Sequence, residues 1–204
     1  MEYILFDLAL IFQLATTFFI VTNPIGNSPA LLTLVQGFSE KRQRMILFRE
    51  GLFALLLALF FQYLGEQFLG TLQLKNYTVA YCGGILLLLV AIQLIFPGRK
   101  DDTRKALVRE PYVVPIATPL LAGPGLFAII MISSQETSAM TLSTSLIVAW
   151  IGVWAVLLIA PWLQRILGKK GMIVLEQVMG MILAFIAIDL LVKGTRQFLE
   201  ICNK

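Results

Sequence analysis

Two interruptions of apolar sequence constrain this chain more than any other feature. The first, Thr22-Asn23-Pro24-Ile25-Gly26-Asn27-Ser28-Pro29, is set between Phe18-Phe19-Ile20-Val21 and Ala30-Leu31-Leu32. Pro24 and Pro29 each remove a backbone donor and crowd the preceding turn. The residue before each is driven toward extended backbone, and Gly26 accepts dihedrals that other residues avoid. An ordinary helix is not expected to run through this stretch, and the spacing predicts that it resumes at Ser28. The second interruption, Thr118-Pro119-Leu120-Leu121-Ala122-Gly123-Pro124-Gly125, repeats the proline spacing of the first. We read the pair as two broken helices in corresponding halves of a membrane protein.

Composition supports that setting. Of 204 residues, 58% are hydrophobic and 14% are charged, against about 45–50% and about 25% in soluble domains. The apolar residues lie in continuous runs near the length of roughly 20 residues that crosses a bilayer as helix. They do not alternate as in a barrel strand. The fold class read from the sequence is therefore an all-α membrane protein of six transmembrane helices. The spans fall at about 4–37, 46–64, 77–96, 112–133, 145–163 and 172–192, with segments one and four broken. Met1-Glu2-Tyr3 offers no positive n-region and no cleavage site follows the first apolar run, so that run is expected to stay in the protein.

Charge sets the orientation. Of the 16 Lys and Arg residues, 12 fall in the loops after segments one, three and five, or at their edges, and 4 fall on the other side. The positive-inside rule then places both termini outside a cell (inner) membrane. The basic residues flank spans, so the net charge of +4 does not point to nucleic acid. Cys82 and Cys202 form no CxxC pair, and the chain has no histidine. Histidine zinc sites, Ser-His-Asp triads and imidazole relays are excluded. No metal site, cofactor or enzymatic chemistry is expected.

The two halves also resemble each other outside the breaks. Gly84-Ile85-Leu86-Leu87-Leu88-Leu89-Val90-Ala91-Ile92-Gln93 aligns with Gly180-Met181-Ile182-Leu183-Ala184-Phe185-Ile186-Ala187-Ile188-Asp189. The shift there is 96, against 95 between the breaks, as from Pro24 to Pro119. Residues 1–98 and 99–204 thus read as two three-helix repeats. Three spans per unit is odd, so the second unit is inverted, which is the sequence signature of secondary transporters. Ala80-x3-Gly84 and Gly180-x3-Ala184 place small residues one turn apart for close packing of segments three and six.

Chemistry concentrates at the breaks. Backbone groups released from a helix inside hydrocarbon must be satisfied by protein, water or ligand. A resuming helix offers free N–H groups and a positive dipole end to a carboxylate, and carbonyls ending the preceding half accept from an ammonium. The candidate binding residues are Asn23, Pro24, Ile25, Gly26, Asn27, Ser28, Thr118, Leu121, Ala122, Gly123 and Gly125. Asp189, an ionisable group in segment six, is a candidate coupling or gating residue; Lys193 stands four residues on, at pairing distance. Glu50 and Arg49, read as opening segment two on the inner side, are the others. Glu176 reads as a helix-start charge.

Several of these stretches resemble the MarC family of integral membrane proteins. They are Asn23-Pro24-Ile25-Gly26-Asn27-Ser28-Pro29, Arg49-Glu50, Gly83-Gly84-Ile85, Ile95-Phe96-Pro97, Val114 through Pro124, and Glu176-Gln177-Val178-Met179-Gly180. The resemblance covers the whole chain. It implies six spans in the plasma membrane and, for some members, transport of small neutral amino acids. Pro24, Gly26, Pro29, Pro119, Gly123 and Pro124 fall on the motif positions. The expected function is a secondary transporter that moves a small zwitterionic solute by alternating access, working in a lipid bilayer with a coupling proton or sodium ion; a homo-oligomer is compatible with the sequence. A passive channel would need a polar stripe that segments two, three and five lack. A non-transporting regulatory membrane component is the third reading.

Overall fold

A computed structural model describes residues 2–96 and 116–202. Among these the chain is helical, with no strand. The helices are α1 (Glu2–Thr22), α2 (Pro24–Val35), α3 (Glu40–Thr71), α4 (Asn76–Ile95) and α5 (Pro124–Glu136). After them come α6 (Ala139–Gly168) and α7 (Lys170–Cys202). A single π turn, Ile116–Leu121, precedes α5. The α1–α2 unit, α3, α4, α6 and α7 are each long and apolar enough to cross a membrane. The most basic loop, 99–109, and residues 112–115 of the expected fourth segment lie outside the described residues.

Local sequence explains where the helices stop. α4 ends before Pro97, and Phe96 has already left helical backbone at φ −115°, ψ 72°. Gly168 separates α6 from α7 at φ 63°, ψ −178°, a conformation essentially restricted to glycine. α3 is longer than expected. The polar connection anticipated from Gly65 onward is helical to Thr71, because no proline interrupts it and Leu69 stays buried in the bundle. The turn is confined to 72–75, with Gln73 at φ 54°.

α3 is the central strut. It runs antiparallel to α6, and three contacts mark the register. Gln62 Nε2 donates to Ala139 O at 2.9 Å and to Ser143 Oγ at 2.8 Å. Trp150 Nε1 donates to Gly51 O at 2.7 Å. Arg165 reaches Glu40 at 2.8 Å. Toward α5 the direction is parallel. Phe61 stacks on Phe127 at 4.1 Å, and one turn later Gly65 meets Met131. α3 also touches the π turn 116–121.

α4 and α7 pack antiparallel and very close. A Cβ on Gly84 would stand 3.1 Å from the carbonyl oxygen of Ala187, and one on Gly180 would stand 3.1 Å from that of Ala91. The small-residue spacing noted in the sequence does bring these two helices together. The outward face is apolar: Phe12, Phe60, Ile85, Ile151 and Phe185 are all more than half exposed. Such a surface is unusual for a soluble monomer and is the natural face toward lipid. The core holds Phe18, Ile46, Leu121, Leu126, Ile130, Leu146 and Trp150, all essentially inaccessible.

Gly83 is wedged against Ala128 of α5, and its added Cβ would also lie 3.3 Å from Leu190. Gly83→Ala forces α4 and α5 apart and should lower stability by about 1–3 kcal/mol, read from unfolding in mixed micelles. Gly37→Ala, where a Cβ meets nothing within 4 Å, should leave the transition where it is. Equal transitions for both variants would contradict the packing described.

Candidate functional site

The first break is one residue wide. Asn23 takes the left-handed conformation at φ 50°, ψ 51°, which asparagine tolerates better than most residues. α2 resumes at once, with Pro24 at its first position, where a missing N–H costs nothing. This corrects the expected restart at Ser28. Pro29 lies inside α2 and does not end it. The hydroxyls of Ser28 and Thr33 donate back to the carbonyls of Pro24 and Pro29, at 2.6 and 2.8 Å, a pattern that bends a helix without breaking it.

Side chains rewire the break. Asn23 Oδ1 accepts from the backbone N of Gly26 at 3.1 Å, so Gly26 N–H no longer serves Thr22 O. Asn27 Nδ2 takes over that carbonyl at 3.2 Å and also donates to Leu120 O at 2.6 Å. One amide group thus joins the first break to the second, across 93 positions of sequence.

The second break is wider. Thr118 is extended at φ −129°, ψ 135°, Ala122 N reaches back to Ala117 O at 2.8 Å, and Gly123 is extended again at φ −98°, ψ 169° before Pro124 opens α5. No side chain caps that helix, so its first N–H groups depend on another partner. Leu121 and Ala122 are fully buried. Gly125 is pressed against Leu87 of α4, whose Cδ1 would lie 2.9 Å from a Cβ at that position.

The structure joins the two breaks through Asn27 and Leu120, while Gly125 packs on α4. Thr22, Asn23, Pro24, Gly26 and Ser28 are buried; Ile25, Asn27, Thr118 and Gly123 are half-buried. Thr22 Oγ1 and Asn23 Nδ2 are buried with no hydrogen-bond partner among the described residues. A buried amide left unpaired costs about 1–3 kcal/mol, so this pair of atoms is a chemically unfinished place.

The charged candidates separate. Glu50 is not at a helix start. It lies ten residues into α3 with a side chain 0% exposed, and Arg49 Nε and Nη2 donate to its Oε1 at 3.1 and 2.9 Å. The earlier start of α3, at Glu40, moves this pair into the span. Asp189 is at the periphery, 62% exposed and paired with Lys193 at 3.0 Å; the fold does not bring it to the breaks. Glu176 is buried inside α7, six residues past its start, so it is not a helix-start charge. Cys82 and Cys202 are free and exposed.

Sequence reading missed two participants. The Leu120 carbonyl carries no side-chain signal, although its place within a Pro-x4-Pro stretch marks it as one of the carbonyls set loose. The carbonyl of Gly51 is held by Trp150, and only the tertiary fold pairs them.

The comparisons with known proteins agree with this architecture. The profile of MarC family integral membrane proteins matches residues 8–199. The UPF0056 inner membrane protein YhgN of Escherichia coli (strain K12) is 36% identical over 193 residues, covering 93% of this chain and 98% of that protein. A UPF0056 membrane protein of Buchnera aphidicola subsp. Schizaphis graminum is 34% identical over 183 residues, covering 89% and 93%. A relative in Chlamydia pneumoniae, also a UPF0056 membrane protein, is 30% identical over 191 residues. No solved structure matches. With a family profile spanning nearly its full length and relatives aligned end to end, this integral membrane protein belongs to the MarC family.

Proposed function

We propose that the protein is a secondary transporter for a small neutral amino acid, working by alternating access around the two breaks. The observation that carries this reading is the Asn27 amide between Thr22 O and Leu120 O. It holds together two interruptions of the helical hydrogen-bond ladder, beside the unsatisfied Thr22 Oγ1 and Asn23 Nδ2. Asn23 Nδ2 and the uncapped start of α5 suit a carboxylate; Thr22 Oγ1 and the carbonyls ending α1 suit an ammonium. A zwitterion satisfies both kinds of group with little net charge brought into the span.

The chain is two inverted three-helix repeats, 1–98 and 99–204, forming six spans. The α4–α7 interface supports this. Gly84 faces Ala187 while Gly180 faces Ala91, and 180 minus 84 and 187 minus 91 both give 96, the shift of the repeat. Gln177 donates to Ile95 O at 3.0 Å. Tyr81, its repeat counterpart, reaches the Leu191 carbonyl through Thr195. A pseudo-two-fold axis in the membrane plane relates such pairs. The end of the bundle bearing Lys41, Arg42, Arg44 and Arg165 faces the cytoplasm, both termini face out, and a proton or sodium ion couples the cycle with Glu50 and Arg49 inside the span.

Counterflow of labelled alanine or glycine in proteoliposomes should saturate with substrate. Linear flux would indicate a channel, and no flux with any small zwitterion a regulatory component. Asn27→Leu removes the donor and strands two buried carbonyls, so uptake should fall by roughly 5- to 150-fold, the equivalent of about 1–3 kcal/mol, while membrane insertion persists. Gly123→Leu should abolish uptake with insertion intact. Wild-type uptake by either variant would take its break out of the site.

A further inference from the structure

Two clefts open at opposite ends of α3. The cleft at the basic end has a volume of about 260 Å³ and is bordered by Gln36, Glu40, Gln43, Gln164 and Arg165, with Leu32 and Pro161 behind them. The cleft at the far end is larger, about 470 Å³, and is bordered by Leu69, Gly70, Leu74, Asn76, Ser134 and Gln135. Adding the break-to-break shift of 95 to Glu40, Leu69 and Gly70 gives Gln135, Gln164 and Arg165. Three positions bordering each cleft are thus repeat equivalents, turned end for end.

The equivalent positions differ in chemistry. At the basic end Arg165 of α6 crosses to Glu40 of α3 at 2.8 Å. At the far end the matching positions are Gly70 and Gln135, and a Cβ on Gly70 would meet nothing within 4 Å. A charged bridge spans one cleft; open space occupies the other. α3 runs from one cleft to the other; α6 borders the basic-end cleft, and α4 and α5 border the far one with α3.

We propose that the two clefts are the cytoplasmic and external ends of one path for a polar solute, and that the Glu40–Arg165 ion pair is the cytoplasmic gate. The proposal rests on the carrier reading above. Both partners are exposed, 71% and 73%, so the bridge is weak. That suits a gate broken in every cycle. Tilting α3 as a lever separates Glu40 from Arg165 of α6 at one end and brings Gly70 toward Gln135 of α5 at the other, so that one cleft opens as the other shuts.

The test uses thiol probes in the full chain with Cys82→Ser and Cys202→Ser, since both native cysteines are exposed. Gln36→Cys reports on the basic-end cleft and Gly70→Cys on the far-end cleft. Each is labelled with a membrane-impermeant maleimide in sided vesicles. Glu40→Gln and Arg165→Gln should each speed labelling at position 36 and slow it at position 70, by about two- to five-fold, the range a weak exposed pair can bias. The charge swap Glu40→Arg/Arg165→Glu should restore both parent rates. A purely local role for the pair would not move the rate at position 70. Unchanged rates, or both rates shifting in one direction, overturn the proposal. Counterflow on the same vesicles separates it from the reading beneath it. Reciprocal labelling without flux keeps the gate and removes the amino acid, and flux without reciprocal labelling keeps the carrier and removes the gate.

Discussion

One side-chain amide organises the centre of this protein. Asn27 Nδ2 lies between the last carbonyl of α1 and the carbonyl of Leu120, so the first break satisfies a carbonyl of its own and one released by the second. In hydrocarbon an interrupted ladder is tolerated only where something else satisfies it. The pairing of two interruptions is therefore a structural necessity before it is a functional device. Two buried side-chain atoms of the first break, Thr22 Oγ1 and Asn23 Nδ2, stay unpaired.

Those few atoms are where structure turns into chemistry. The left-handed turn at Asn23 occupies Oδ1 with Gly26 N and leaves Nδ2 buried and unpartnered. Elsewhere the helices pack tightly. Gly125 admits Leu87, Gly83 admits Ala128, and Gly51 lies against Trp154. Close packing favours movement of whole helices over local deformation, because packed interfaces are bistable more readily than they are soft.

Much of this was legible in the sequence, and for identifiable reasons. Proline and glycine act through the local backbone, so the two interruptions could be located from residue types alone. The closeness of α4 and α7 followed from small residues spaced one turn apart. What failed depended on context. Pro24 was read as a breaker, yet a first-turn proline begins a helix as readily as it ends one, and Asn23 absorbed the whole break. Glu50 was read as interfacial because the apolar run was taken to start near residue 46. α3 begins at Glu40 with a charged turn, which carries Glu50 into the interior beside Arg49. Asp189 was read both as a candidate functional carboxylate, because it stands in apolar sequence, and as the partner of Lys193 one turn on; its face of α7 points away from the bundle and the pairing with Lys193 is what forms. Which face a helix buries is a tertiary fact, and a helix apolar all round gives no moment from which to read it.

The most direct measurement is an experimental structure in a lipid nanodisc with saturating alanine. The account predicts density for one small molecule between the two breaks, touching Thr22 or Asn23 on one side and the start of α5 on the other, with Asn27 still bound to the Leu120 carbonyl. Breaks separated by lipid, or alanine bound elsewhere while Thr22 Oγ1 and Asn23 Nδ2 remain unpaired, would contradict it.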